Sequence, residues 1–475
     1  MAVPVDHDDP SGDMIDIAVA VYPVQPAPEG GSGSSTTTTE AGATEESGAA
    51  SDPLFFLAGG PGQKAVAQVQ LLASIAPALL EREVVIMDQR GIGESDPALD
   101  CPELDEVTVD PGAEDEVVLA ATEECHTALA EGTDLSAYGT PANAADIDLV
   151  RQALDYEQIN LMGTSYGSRL ALEYARDHSD SLRSLVLNSP VPTDVSYFED
   201  VPQNGDDALS ALIAACEAEV ECARDNPDLN GSVEEALQRS EQAPEVAIED
   251  PASGETVTVR ATTAFVSYAL FNTMYIGPLL GGLPQAITAA GAGDFAPLFQ
   301  AAALTINPGG TSTGMFLSNV CAEGISLVDI DEVEDDAADV SSYAATQAVS
   351  LAKIVEQCAV WDVEAAPDAA FEPVSTDVPT LIVTGAFDPI TPTSYGEAVE
   401  EDLSEATLVE VGAAGHDPLS TTPEPECGQM ILIEFLTDPS AEVDDGCATE
   451  VTPVFRPMAE ALEAFIRSQQ PQGGG

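Results

Sequence analysis

Short apolar runs and longer amphipathic stretches alternate along this chain of 475 residues. IDIAVAVYPV, close to the start, is rich in β-branched residues and predicts a strand. LFFLAGG and EVVIMDQRG read as two short buried strands, with LLASIAPALL between them as a helix. From Asn143 onward the pattern sharpens: AADIDLVRQAL is an amphipathic helix, INLMG a strand, SRLALEYARDH a helix and SLVLNSPV a strand. Strands that alternate with helices predict an α/β fold with a mostly parallel central sheet. After PVP roughly 190 residues pass before the next comparable strand, TLIVTGAFD, far more than one crossover needs. An inserted helical cap is the economical expectation. The chain then closes with TLVEVG as a strand and two helical stretches, and it shows no internal repeat. The expected organisation is a core over 1–193, a cap over 194–375 and the second part of the core over 376–475. Within the first part, 28–51 forms a polar low-complexity loop that has nothing to bury.

Charge narrows the function classes. Eighty-four acidic residues face 13 basic ones, a formal net charge of −71, and Lys64 and Lys353 are the only lysines. A phosphate backbone needs a basic face, so nucleic acid is excluded as a partner, and an anionic membrane surface with it. Such an excess of carboxylates repels itself in dilute buffer, but at molar salt the Debye length falls to about 3 Å. The composition therefore reads as salt adaptation, with an ordinary acidic secreted enzyme as the alternative. The uncharged stretch from Ala261 to Gly293 is long enough for a membrane span, yet Asn272, Pro278, Gly281, Gly282 and Pro284 interrupt it. A buried helical hairpin near a pocket is expected there, and no membrane span.

The eight cysteines fall in four successive close pairs and form no CxxC motif. They point to a disulfide framework and an oxidising compartment, against the alternative of buried free thiols. The first Lys or Arg is Lys64, so the start carries no charged leader; the expectation is an exported protein whose leader has been removed.

The chemistry centres on GTSYG within NLMGTSYGSRL. Ser165 stands between a strand and a helix, where a nucleophile elbow lifts a hydroxyl above the sheet edge, and Gly163 and Gly167 keep the tight turn free of side chains. A serine needs a base, and the chain offers His7, His126, His178 and His416. The order serine, acid, histidine that belongs to such an elbow removes the first two. His178 ends the helix that Ser165 opens and points away, which leaves His416 in VGAAGHDPLS. Asp388, after the strand TLIVTG, is the favoured acid, with Asp417 as its rival. The developing oxyanion needs backbone N–H donors: that of Tyr166, and one from AGGPGQ at Ala58 to Gln63, Gly60 first and Gly59 next.

Taken together and in order, FFLAGGPGQ, VVIMDQRGIGES, GTSYGSRLALEYA, GAFDPITP and AGHDPL resemble the α/β-hydrolase serine peptidases of the proline iminopeptidase and tripeptidyl aminopeptidase group, including the TAP-like C-terminal region. The resemblance implies an α/β-hydrolase fold with Ser165, Asp388 and His416 as triad, and cleavage of small peptides from the free amino end beneath a helical cap, with no metal and no cofactor. It further implies that DQRGIGES supports the oxyanion loop. AGGPG stands where many iminopeptidases have HGGPG, the polar run enlarges a loop, and the cap is divergent. Short loops close at least entropic cost, and the resemblance implies the same pairing: Cys101 with Cys125, Cys216 with Cys222, Cys321 with Cys358, and Cys427 with Cys447. Glu323, two residues beyond Cys321 and held still by its expected bridge, is the candidate for binding the substrate ammonium, with a solvated acid as the alternative, and the resemblance supports an acidic residue after a similarly placed cysteine. A carboxylesterase on the same scaffold is the alternative function, and a non-catalytic acidic envelope protein a third. The sequence leaves the oligomeric state open.

Overall fold

The computed structural model describes residues 1–23, 52–66, 82–108, 113–251, 253–306, 309–421, 425–449 and 451–468. The polar run over 28–51 and the helix expected over LLASIAPALL lie outside the described residues. The strands, in chain order, are β1 (Ala2–Pro4), β2 (Met14–Asp16), β3 (Ala18–Tyr22), β4 (Leu54–Leu57), β5 (Val84–Asp88), β6 (Ile159–Thr164), β7 (Leu182–Asn188), β8 (Glu245–Glu249), β9 (Thr256–Arg260), β10 (Thr380–Gly385) and β11 (Ala406–Val411). Seven of them form one sheet in the order β11-β10-β7-β6-β4-β5-β3, every pairing parallel except β3 with β5. This is the α/β-hydrolase fold. The single strand expected over IDIAVAVYPV splits in two, because Asp16 leaves the β1–β2 hairpin to bridge Asp96 before β3 enters the large sheet.

The sheet is covered on both faces, which is why its strands read as continuous apolar runs. Side chains alternate across it with period two. Leu161, Leu185, Leu187 and Ile382 join the core beneath the helices Thr140–Ala153 and Tyr166–His178, together with Ile147, Leu170 and Tyr174. Their neighbours Met162, Val186, Leu381 and Val383 face the other way, onto Ile431, Leu432 and Phe435 of the helix Pro425–Thr437. Truncating such a side chain to alanine removes about 2 to 5 kcal/mol.

Between β7 and β10 the chain is mostly helical, with its own core of Leu212, Phe265, Leu270, Leu283, Ile287 and Phe299. Met458 and Ala461, from the helix Met458–Ser468, join that core. The uncharged stretch folds as three helices, Thr263–Tyr275, Gly277–Leu280 and Leu283–Gly291. Gly281 and Gly282 sit at the break because a Cβ there would lie 2.2 Å from the Val454 carbonyl and 2.8 Å from the Met458 Cα respectively. Among the described residues, no helix is long and apolar enough to cross a membrane. The antiparallel hairpin β8–β9 interrupts this helical region, and EVAIE carries its signal: alternate residues are buried. The disulfides join Cys101 to Cys125, Cys216 to Cys222, Cys321 to Cys358 and Cys427 to Cys447.

DQRGIGES fastens the start of the chain to the sheet. The Arg90 side chain is fully buried and donates to both oxygens of Asp146, at 2.8 Å each, and to the carbonyls of Pro4, Val5 and Ala137. Breaking a buried pair of this kind from one side costs about 3 to 5 kcal/mol. Its neighbours reach the glycine-rich loop after β4. Gln89 donates to the Ala58 carbonyl at 3.2 Å, and the Asp88 carboxylate accepts from the Val66 N–H at 2.9 Å.

Candidate active site

β6 turns into the Tyr166–His178 helix through Ser165, whose backbone is left-handed at φ 57° and ψ −128°. A residue with a side chain is held there at a cost of about 1 to 3 kcal/mol, which the surroundings must supply. Two glycines make the turn possible. A Cβ on Gly163 would lie 2.1 Å from the Gly167 carbonyl oxygen, and one on Gly167 would lie 2.3 Å from that of Leu57. The Ser165 N–H donates to the Asn188 carbonyl at the end of β7, at 2.9 Å.

Of the glycine-rich loop, Gly59 is the residue laid against the serine: a Cβ on it would sit 2.9 Å from the Ser165 Cβ and 3.5 Å from its Oγ. Gly60, at φ 107°, turns the loop back toward Gln63. Gly59 and Tyr166 therefore flank the hydroxyl, one across the sheet edge and one in sequence.

Asp388 lies in the turn after β10 and His416 in the turn after β11, and the structure brings them together: Nδ1 of His416 is 2.8 Å from Oδ2 of Asp388. Asp388 is 2 % exposed and accepts in addition from the N–H groups of Ile390 and Thr391, both at 3.0 Å, and from the hydroxyls of Thr391 at 2.6 Å and Ser189 at 3.0 Å. Burial pushes this carboxyl up, but the His416 charge and these donors outweigh it and hold it below the usual carboxylate range. For His416 burial favours the neutral ring, yet the Asp388 carboxylate outweighs that and raises its pKa above the ordinary imidazole value. Asp417, the rival acid, turns away with φ 57°; its carboxylate bonds the side-chain amide of Asn188, and burial pushes its pKa up to about 6.

The region between β7 and β10 closes over the histidine. The Tyr275 ring lies 4.6 Å from that of His416, and Gly415 has no room for a side chain, since a Cβ would fall 1.8 Å from the Met274 carbonyl. The other histidines lie elsewhere: His7 against Arg90 and Asp146, His126 edge-on to Trp361, His178 beside Tyr174. Sequence reasoning missed Thr391, whose hydroxyl also stands 3.1 Å from His416 Nδ1. Its position three residues beyond Asp388 in GAFDPITP was the available signal.

Glu323, the expected amine-binding residue, is engaged by neighbours within the protein. It sits in a π-helical turn, Val320–Gly324, and is 1 % exposed. Its oxygens accept from the Thr140 N–H at 2.7 Å, the Thr140 hydroxyl at 2.6 Å, the Asn319 amide at 3.3 Å and the Arg169 guanidinium at 3.4 Å. A buried arginine needs a counter-charge, and this carboxylate serves Arg169 and the start of the Thr140–Ala153 helix. Thr140 and Asn319 in turn hold the Tyr166 hydroxyl, at 2.9 and 3.0 Å, so the cluster stands behind the residue that follows Ser165.

Residues 52–212 match the family model described as the alpha/beta hydrolase fold, and residues 344–447 match the one described as TAP-like protein. The chain has the α/β-hydrolase fold with a TAP-like C-terminal region. This hydrolase is 26 % identical to the serine protease Hip1 of Mycobacterium tuberculosis over 212 residues, 42 % of this chain and 36 % of that protein. It is 26 % identical to carboxylesterase B of the same organism over 217 residues, 42 % and 37 % of the two chains. It is also 29 % identical to a tripeptidyl aminopeptidase of Streptomyces coelicolor over 144 residues, 28 % and 26 %. The matched segments thus span little more than a third of the first two relatives and about a quarter of the third.

The Asp388–His416 pair sets a pH dependence. The depressed acid contributes stability that is present above its unfolded value of 3.8 and lost as the pH falls through its folded value. The raised base contributes stability below its unfolded value of 6.5, lost as the pH rises through its folded value. Asp388→Asn removes the larger of the two charges that raise His416 and leaves burial, opposed only by the lesser effect of Asp417, to lower it. The acidic limb of kcat/KM is expected to move from above 6.5 to below it, with turnover down by as much as about 10⁴-fold. An unmoved limb would show that Asp388 does not govern His416. Glu323→Gln is expected to lower the melting temperature, by the equivalent of about 3 to 5 kcal/mol if Arg169 is left unpaired. The ratio of rates on free and N-acetylated substrates should be unchanged; a loss confined to free amines would return Glu323 to the amine site.

Proposed function

We propose that this protein is an exported serine hydrolase that releases residues or short peptides from the free amino end of peptides through an acyl-enzyme. The observation that carries the reading is Ser165 on a left-handed elbow at the end of β6, with the buried Asp388–His416 pair at the ends of β10 and β11. Ser165 Oγ attacks the scissile carbonyl while His416 takes its proton, and Asp388 holds the imidazole and stabilises the imidazolium. The charge on the former carbonyl oxygen falls to the N–H of Tyr166 and to one from the glycine-rich loop, where the approach of Gly59 favours that end of AGGPG. Collapse expels the amine, which takes the proton from His416. Water then adds to the acyl-serine by the same base and returns the free hydroxyl.

Residues 194–375 act as the cap in this reading, supported by Tyr275 resting on His416. Peptides as substrates are supported by the TAP-like region and by relatives named as a serine protease and a tripeptidyl aminopeptidase. Carboxylester hydrolysis is the second reading, favoured by the relative named carboxylesterase B and by chemistry that serves esters and amides alike. Export is supported by four disulfides.

Ser165→Ala is expected to abolish turnover by several orders of magnitude with the fold intact. A panel of free-amine peptides, N-blocked peptides and simple esters, assayed with the wild-type enzyme, then separates the readings: indifference to blocking favours the esterase. A well-folded Ser165→Ala protein of near-normal activity would remove Ser165 as the nucleophile and overturn this mechanism. Salt adaptation predicts a melting temperature that climbs between dilute buffer and molar sodium chloride as carboxylate repulsion is screened; a flat profile would remove it.

A further inference from the structure

Two consecutive residues at the end of β7 touch all three parts of the candidate site, and neither belongs to it. Asn188 and Ser189 are both fully buried. The Asn188 carbonyl accepts from the Ser165 N–H at 2.9 Å. Its side-chain amide donates to the Thr164 hydroxyl at 3.2 Å, on the residue before Ser165, and to the carboxylate of Asp417, on the residue after His416. Its Oδ1 accepts from the Leu419 N–H at 3.3 Å, in the short helix Pro418–Thr421 just after His416. Ser189 continues the link. Its N–H donates to the Val383 carbonyl on β10 at 2.8 Å, its hydroxyl donates to Asp388 at 3.0 Å, and that same hydroxyl accepts from the Asp417 N–H at 3.0 Å. Ser189 has φ 54°, a left-handed conformation that turns its hydroxyl out of strand register.

We propose that Asn188 and Ser189 are positioning residues that set the spacing of the nucleophile elbow from the histidine loop and the acid. The need for them follows from the architecture. Ser165, Asp388 and His416 stand on the turns after β6, β10 and β11, and β7 lies between β6 and β10 in the sheet. Strand pairing fixes the strands to one another but not the turns beyond them. Each turn would otherwise be free to settle independently, whereas in-line attack and proton transfer tolerate only small errors: a misplacement of about 1 Å can cost about 100-fold. Asn188 bonds the first turn and the third, and Ser189 the second and the third. Each donor and acceptor of the Asn188 side chain is used, so its amide orientation is fixed by its partners.

A matched residue separates positioning from simple stabilisation. Asn160, near the start of the central strand β6 and so at the opposite end of the strands from Ser165, is equally buried and equally engaged: its amide donates to the carbonyls of Asp52 at 3.1 Å and Pro53 at 3.3 Å, and its oxygen accepts from Ser184 at 2.7 Å and Arg183 at 2.9 Å. None of these partners belongs to the site.

The proposal rests on Ser165 as nucleophile, so the experiment first reads that. Wild-type protein is treated with a fluorophosphonate, the labelled residue is mapped, and labelling rates, kcat, KM and melting temperature are compared for Asn188→Ala, Ser189→Ala and Asn160→Ala. Expected are labelling at Ser165, a fall of at least about tenfold in labelling rate and kcat for Asn188→Ala with KM within about twofold, and a smaller fall of the same kind for Ser189→Ala. Asn160→Ala should lose comparable melting temperature while keeping its labelling rate within about twofold of wild type. Should Asn188→Ala not fold, Ser189→Ala decides, since it removes only one hydroxyl. Labelling rates that track melting temperature across all three variants, or a folded Ser189→Ala that labels as fast as wild type, would overturn the positioning role. Wild-type protein that is not labelled at Ser165 overturns the reading of the site itself.

Discussion

The close approach of bare backbone at Gly163 and Gly167 is the constraint on which the site depends. β6 and the helix that follows it meet without side chains between them, and only this lets the chain reverse through Ser165 and present one hydroxyl above the sheet. The left-handed backbone of Ser165 is unfavourable taken alone. It is held by the Asn188 carbonyl on one side and by the first turn of the Tyr166–His178 helix on the other, where the Ser165 carbonyl accepts from the Ser168 N–H and hydroxyl. Local strain and sheet stability are thereby joined: the elbow persists because the strands beside it are buried on both faces.

The same logic governs the second half of the site. Gly385 has no side chain because the Gly415 carbonyl passes 2.0 Å from where its Cβ would stand, and Gly415 has none because Met274 of the inserted region passes closer still. Three backbones stack in this way over the acid and the base. Asp388 and His416 are both buried, and burial opposes charge on both. Their mutual attraction outweighs burial in each: it holds Asp388 ionised and favours the imidazolium, which in the proposed mechanism forms when the neutral His416 ring takes the serine proton and is discharged when the leaving amine takes that proton.

Much of this was legible in the sequence, for reasons that can be stated. Doubly buried strands such as INLMG and TLIVTG are unbroken apolar runs, and GTSYG betrays its turn because glycine is demanded twice at fixed spacing. Candidates for serine, acid and base could be ranked because their order along the chain follows from strand order, and the structure brings two of them, Asp388 and His416, into contact. What failed to show were features set by contacts distant in sequence. The split of the first strand at Asp16 depends on a partner at Asp96, and the clamp at Asn188 and Ser189 depends on a loop some 230 residues away. The β8–β9 hairpin was visible in the alternation of EVAIE but was overshadowed by the helical patterning around it.

Glu323 shows why an acidic chain hides its functional carboxylates. With 84 of them, composition makes any one unremarkable, and only the scarce cations mark which are structural. Arg90 and Arg169 are the two arginines closed off from solvent, and each has claimed one carboxylate, Asp146 and Glu323. On a surface bathed in salt an ion pair is screened within a few ångströms and contributes little. In the interior screening is weak, and a pair fully bonded to its neighbours keeps its geometry whatever the ionic strength. A chain with 13 basic residues that places two of its arginines inside, one tying Asp146 to the start of the chain and one in the cluster behind Tyr166, puts positive charge where salt cannot weaken it.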